Sequence, residues 1–292
     1  MTATAKTKGA NAYPKVRRMR FRFGDPAPMQ RHYVQDDIVL SHLLALLSSA
    51  FPPGEESFIR SVRRVSDQIT DPVLKKRVAG FVGQEAMHGQ QHRALNERLI
   101  EMGYLLVRIP TFPANSLRER VIVRAERLIP ARLHLAGTAA AEHYTATLAR
   151  RVLTSDELQA IPADPEVRKL INWHALEELE HKSVAFDVYR AVGGTERMRI
   201  LLMTVPYVGA IPVVSLIVLL SILTDPTGWR PLTVTRQAID VLRGPLVKGL
   251  TGEVAEYLRP GFHPDDIDTE DVVRQWQREL FGAEGELLDR VR

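Results

Sequence analysis

Apolar residues recur at helical spacing along most of the chain, and no sustained run alternates as a half-buried strand would. The pattern predicts a helix over residues 36–50, interrupted at Pro52-Pro53-Gly54. It restarts there with proline in its first turn and runs to Ile69. Asp71-Pro72 reads as a cap followed by proline at the first helical position. It opens a long helix to Met102 that Gly103 closes. A proline-bearing loop over 103–115 makes the long crossover, and Ser116 caps a third helix to Leu153 with a kink at Pro130. Asp164-Pro165 opens a fourth helix to Val192, ended by Gly193-Gly194. Four long helices of this kind predict an all-α fold organised as a four-helix bundle.

Beyond residue 194 the pattern changes. Ile200 to Leu223 contains no charged residue, and its length meets the ~20 residues of a membrane span. Pro206, Gly209 and Pro212 interrupt it and leave an unbroken apolar part of only ~12 residues, a length more typical of a buried or interfacial segment. The expected order is a buried helical hairpin covering the bundle, then an element that dips into a membrane, then a true span. Residues 231–258 and 269–281 read as amphipathic helices around the turn-rich stretch Pro260–Asp266. The chain therefore divides into a basic N-terminal arm (1–35), a four-helix bundle (36–194), and an apolar hairpin with C-terminal helices packed on the bundle (195–292).

Composition narrows the chemistry. With 292 residues, 45% hydrophobic and 25% charged, the chain can bury a sizeable core. Cysteine is absent, which excludes disulfides, thiolate metal sites and a cysteine nucleophile. Any metal must then be held by oxygen and nitrogen. The net charge of +4 draws on Lys15, Arg17, Arg18, Arg20 and Arg22, which read as a solvated arm pairing with acidic residues of the body. No helix-turn-helix or aromatic ribonucleoprotein pattern supports a nucleic-acid partner. Met1–Asn11 lack an apolar core, so no secretory signal is expected and the location is cytoplasmic, with association at a membrane through 200–223 as a further expectation.

Each long helix carries a polar group where core is expected. On the first, the apolar stripe Phe58, Ile59, Val62, Val65 and Ile69 places Glu55 near its centre and Glu56 off it. Glu85 and His88 follow on the second helix at an offset of three, which puts carboxylate and imidazole on one face, with His92 a turn further. The third offers Glu142 after a run of small residues. The fourth offers His174, Glu178 and His181 on one face, with Glu177 and Glu180 expected outside as partners of basic residues. Burying so many charges without a counter-ion costs several kcal/mol per ion, so a metal centre is expected. Two divalent ions would be balanced by four carboxylates.

Phe51-Pro52-Pro53-Gly54-Glu55, Gln84-Glu85-Ala86-Met87-His88 to His92, Ala141-Glu142-His143, and Trp173-His174 through Glu178 to His181-Lys182 together resemble one bacterial family. It is catalogued as predicted metal-dependent hydrolases within the ferritin-like superfamily. The resemblance covers roughly residues 14–260. The third histidine of the last motif is also similar to the di-iron arylamine N-oxygenases. That similarity implies a di-iron site of three histidines and four carboxylates: Glu55, Glu85, His88, Glu142, His174, Glu178 and His181. His92 departs from the pattern and stands as an extra ligand, a partner of a ligand, or a substrate-side acid or base. The resemblance implies a ferritin-like bundle with added C-terminal helices. The leading expectation is an oxidoreductase that uses two iron ions and O2 to oxidise a small hydrophobic molecule, with an external electron donor. The alternative is a zinc or manganese hydrolase acting on an ester or amide. A homodimer is among the expected states.

Overall fold

A computed structural model describes residues 13–112 and 115–291. Among the described residues the secondary structure is helical, apart from an isolated antiparallel bridge between Val34 and Ala163. The helices are α1 (Ile38–Arg63), α2 (Pro72–Glu101), α3 (Leu117–Leu128), α4 (Ala131–Thr154), the short α5 (Asp156–Gln159), α6 (Pro165–His181), α7 (Val184–Ala191), α8 (Glu196–Leu223), α9 (Pro231–Arg243), α10 (Leu250–Ala255) and α11 (Glu270–Phe281). The four long helices α1, α2, α6 and α4 pack in a ring, each touching two others. α7 and α8 lie against this ring, and α9 lies along α1. The fold is all-α.

Local signals explain most starts. Asp71 accepts from the backbone N–H of Val73, and Asp164 from those of Glu166 and Val167, with proline next in line at each start. Gly103 and Gly193 take positive φ of 93° and 81° just past helix ends, a conformation that favours glycine.

Several boundaries differ from the sequence reading, each for a tertiary reason. α1 runs unbroken through Pro52 and Pro53. Proline at 52 cannot bond the carbonyl of Ser48, and Asn96 Nδ2 on α2 supplies that bond at 3.1 Å. The expected third helix is two, because Ile129 adopts an extended conformation ahead of Pro130, as residues before proline tend to. The fourth parts just after His181, where Arg77 donates to Ser183 Oγ at 2.8 Å. The expected helix over 231–258 divides at Gly244-Pro245 and at Gly249, whose φ is 80°. No hairpin forms over 200–223. α8 is a single helix containing Pro206 and Pro212, packed on different neighbours along its length. Its N-terminal half joins a core with Ala139 and Ala140 of α4, and its C-terminal half one with Ile38 and Val39 of α1. Nor does it disappear into a core: most of its apolar side chains face outward.

The N-terminal arm also departs from expectation. The secretory-signal question concerns Met1–Asn11, outside the described residues. From Tyr13 onward the arm is extended over the bundle. Arg18, Arg20 and Arg22 point outward while Arg17, Met19 and Phe21 are buried. Close approach to α2 requires small residues there. A Cβ on Gly80 would sit 2.4 Å from the carbonyl oxygen of Pro14, and one on Gly83 would sit 2.3 Å from Val16 Cγ2.

Candidate metal centre

Inside the ring, α1 contributes Glu55, α2 contributes Glu85 and His88, α4 contributes Glu142, and α6 contributes His174, Glu178 and His181. All seven are buried. Glu56 instead turns outward to Arg93 and Arg60. Two triads stand out, Glu55/His88/His174 and Glu85/Glu178/His181; within each, the candidate donor atoms all lie within 4.8 Å of one another. Glu178 sits between them. Its Oε1 is 3.0 Å from His174 Nε2, 3.5 Å from His181 Nε2 and 3.7 Å from His88 Nδ1. Glu142 joins the second triad, 3.3 Å from His181 Nε2.

Apart from the 3.0 Å contact of His174 Nε2 with Glu178 Oε1, the cluster's polar atoms find no hydrogen-bond partner within it. Both oxygens of Glu55, Glu85 and Glu142, together with Glu178 Oε2, His88 Nδ1 and His181 Nε2, are buried without a hydrogen-bond partner. His181 Nε2 lies 3.0 Å from Glu85 Oε1, yet the two are misaligned for a hydrogen bond. So many unpartnered polar atoms, most of them carboxylate oxygens, in one core would cost the fold heavily if nothing bound there.

The far side of each imidazole is anchored. His181 Nδ1 meets Gln84 Oε1 at 2.9 Å, and Gln84 in turn donates to Glu180. His88 Nε2 meets Glu177 Oε2 at 3.1 Å, and Arg17 donates to the other oxygen of Glu177 at 2.8 Å. His174 Nδ1 meets His92 Nε2 at 2.7 Å. That contact starts a relay through Ser48 Oγ at 2.9 Å to Asn96 Oδ1 at 2.7 Å. One set of tautomers satisfies the outward links: each cluster histidine donates a proton outward, to Gln84, Glu177 or His92, and turns its other nitrogen toward the carboxylates. Metal-ligating histidines are held in this way.

His92 lies in this relay, in contact with His174, and also borders an apolar cavity. Glu177 reverses its expected exposure. It is fully buried, and its partner Arg17 lies far away in sequence on the N-terminal arm. Burial pushes the Glu177 carboxyl up to about 8 against the pull of Arg17. Of the two proton positions on the Glu177–His88 contact, only the one on Nε2 leaves His88 able to ligate. Truncating His92 to alanine should lower metal affinity about 10–100-fold while the fold persists. Competition with a chromophoric chelator measures this, and unchanged affinity would remove His92 from the assembly.

Burial raises Glu55 and Glu85 well above the usual carboxylate range, reinforced by the other carboxylates, and raises Glu142 to about 7. Burial alone would also raise Glu178, but the adjacent His181 and His174 hold it well below. His88 is pushed well below the ordinary histidine value by burial and by His174. Burial would lower His181, but Glu178, Glu142 and Glu85 raise it well above the ordinary histidine value. Carboxylates in such excess suit divalent cations.

A second group of metal-ligand type, His32, His42 and Asp225, serves as a contrast. There Arg31 already pairs with Asp225 at 3.0 Å, and His42 bonds Ser221 Oγ at 2.8 Å and Asp225 at 3.1 Å. Its charges and donors are already matched. This group ties the end of α8 to α1.

The apolar cavity, of about 110 Å³, reaches the cluster at His92, His174 and Glu178. Leu47 and Phe51 of α1, Leu148 and Val152 of α4, and Ile171 of α6 line it, with Leu246 at one border.

An all-helical ring around a buried, anchored carboxylate–histidine cluster defines a protein of the metal-dependent class. The family described as predicted metal-dependent hydrolase matches residues 15–268, and the chain belongs to it. No curated protein and no solved structure matches the chain significantly.

Proposed function

We propose that this chain is a dinuclear metal-dependent hydrolase that cleaves an ester or amide bearing an apolar chain. The observation that carries the reading is the pair of triads brought together at Glu178, with their unpartnered oxygens and outward-anchored histidines. The family match supports hydrolysis over oxidation. Glu55, His88 and His174 would hold one divalent ion; Glu85, Glu142 and His181 would hold the other, with Glu178 between them. When bound, such ions polarise a carbonyl and lower the pKa of water. The protein's own part is positional. Leu47, Phe51, Leu148 and Ile171 take up the apolar portion of the substrate and keep bulk water out. The His174–His92–Ser48 relay fixes the imidazole and holds its proton on Nδ1.

The test is elemental analysis of protein purified without added metal, followed by hydrolysis of a p-nitrophenyl ester series of rising chain length. Zinc or manganese near two per chain is expected, with oxygen-insensitive turnover that favours longer chains until the cavity is filled. Chelation should abolish the turnover and re-addition of metal should restore it.

One observation favours a second reading. Four carboxylates and three histidines with an apolar cavity reaching them at His174 and Glu178 also suit iron and O2 chemistry in a ferritin-like bundle, with electrons from an external donor. Iron in the purified protein, together with substrate-dependent O2 uptake and no esterase activity, would select this oxidoreductase reading instead.

A further inference from the structure

α8 is long and apolar enough to cross a membrane, yet its surroundings are those of a helix lying flat. Its 28 residues extend about 42 Å at ~1.5 Å per residue. Along that length one stripe packs on the protein through Met203, Val218 and Ile222. The opposite stripe, Val205, Val208, Leu216, Leu219 and Leu223, faces outward, with Val205 72% exposed. Both ends are tied to the body by polar contacts. Arg199, fully buried, pairs with Glu196 and donates to the carbonyls of Tyr257 and Arg259. At the other end Ser221 and Asp225 hold His42 of α1. A spanning orientation would strip these ends from their partners and pull half a core apart.

The free stripe does not stand alone. α9 shares with the C-terminal half of α8 one small core, each packing on α1. Outward from this pair project Trp229, 72% exposed, and Leu232, 87% exposed, with Ile239 and Leu242. Between Trp229 and Gly249 the exposed charges are Arg230, Arg236, Arg243 and Lys248 against Asp240. An apolar face edged by cations and an interfacial aromatic has the composition of a surface that settles into the headgroup region of an anionic bilayer. The basic excess complements anionic headgroups.

We infer that α8 and α9 form a monotopic docking face for an anionic phospholipid bilayer, with α8 lying in the plane of the interface. Leu246, shortly after α9, borders the cavity that reaches the metal cluster, so the docked face adjoins that cavity. The docking does not depend on which reaction the centre performs.

The experiment is co-sedimentation of the full chain with vesicles of phosphatidylcholine alone and of phosphatidylcholine with phosphatidylglycerol, at low and high salt. Binding is expected to the anionic vesicles and to weaken with salt. Trp173 and Trp276 are buried, so a blue shift of tryptophan emission on binding should come from Trp229 and vanish in Trp229→Phe. The double variant Leu216→Asp/Leu219→Asp changes exposed positions. It should bind roughly tenfold more weakly or worse, with unchanged circular dichroism and metal content. Quenching of Trp229 by bromine-labelled lipid in the unaltered protein gives an independent readout that requires no variant. No binding to anionic vesicles overturns the inference. So does a dimer in sizing chromatography that the double variant dissociates, since a second copy would then cover the face. Recovery of the protein only with detergent, resistant to alkaline carbonate, overturns it in favour of a span.

Discussion

Metal-free protein carrying Glu142→Gln is expected to be more stable at pH 8 than its metal-free parent, while the order inverts when both are saturated with metal. Burial lifts the Glu142 carboxyl from 4.5 to about 7. The unfolded chain gives up that proton near 4.5 and the folded chain keeps it to about 7. The metal-free fold therefore loses stability progressively as pH rises between those values. Above 7 the whole penalty is present, about 3 kcal/mol at ~1.4 kcal/mol per pH unit. Glutamine carries no charge and escapes it. With divalent ions bound, the same carboxylate becomes a ligand whose charge is matched, and its loss weakens binding. Thermal melts of both proteins from pH 5 to 8.5, with and without chelator, check this. A metal-free parent whose stability does not fall with rising pH would show that the carboxylates are not confined as described.

The second large effect is expected from Glu178→Ala. Glu178 stands within 3.7 Å of all three cluster histidines, so its loss disturbs both triads at once. Metal content should drop from two ions per chain to one or none, and kcat/KM should fall roughly a thousandfold or more. Glu56→Ala, one residue from Glu55 but paired outward with Arg93 and Arg60, should leave metal content unchanged. Elemental analysis of the two variants side by side separates a ligand from a neighbouring surface charge. Equal metal loss in both would argue against the arrangement.

What could be read from sequence was local. Asp71-Pro72 and Asp164-Pro165 marked helix starts because cap and proline act within one turn, and those starts stand. Helical phase placed Glu55 inward and Glu56 outward for the same reason. The misreadings came from contacts between residues far apart in the chain. Pro52-Pro53 looked like a break because its compensating donor, Asn96, lies on another helix. Glu177 looked like a surface acid because Arg17, which pairs with it, sits on an arm whose route over Gly80 and Gly83 leaves no periodic trace. The apolar run at 200–223 looked like a hairpin because prolines stop isolated helices. Here α4 and α1 support its two halves in turn. The relay of His92, Ser48 and Asn96 had a faint signal in the extra histidine one turn past His88. Its partner on α1, Ser48, could not be named without the fold.

The most direct measurement is an anomalous difference map collected at metal absorption edges from crystals of protein purified without chelator. The account requires two peaks, one among Glu55, His88 and His174 and one among Glu85, Glu142 and His181, with Glu178 reaching both. A map with no peak inside the ring, or with its peak at His32, His42 and Asp225, would contradict it.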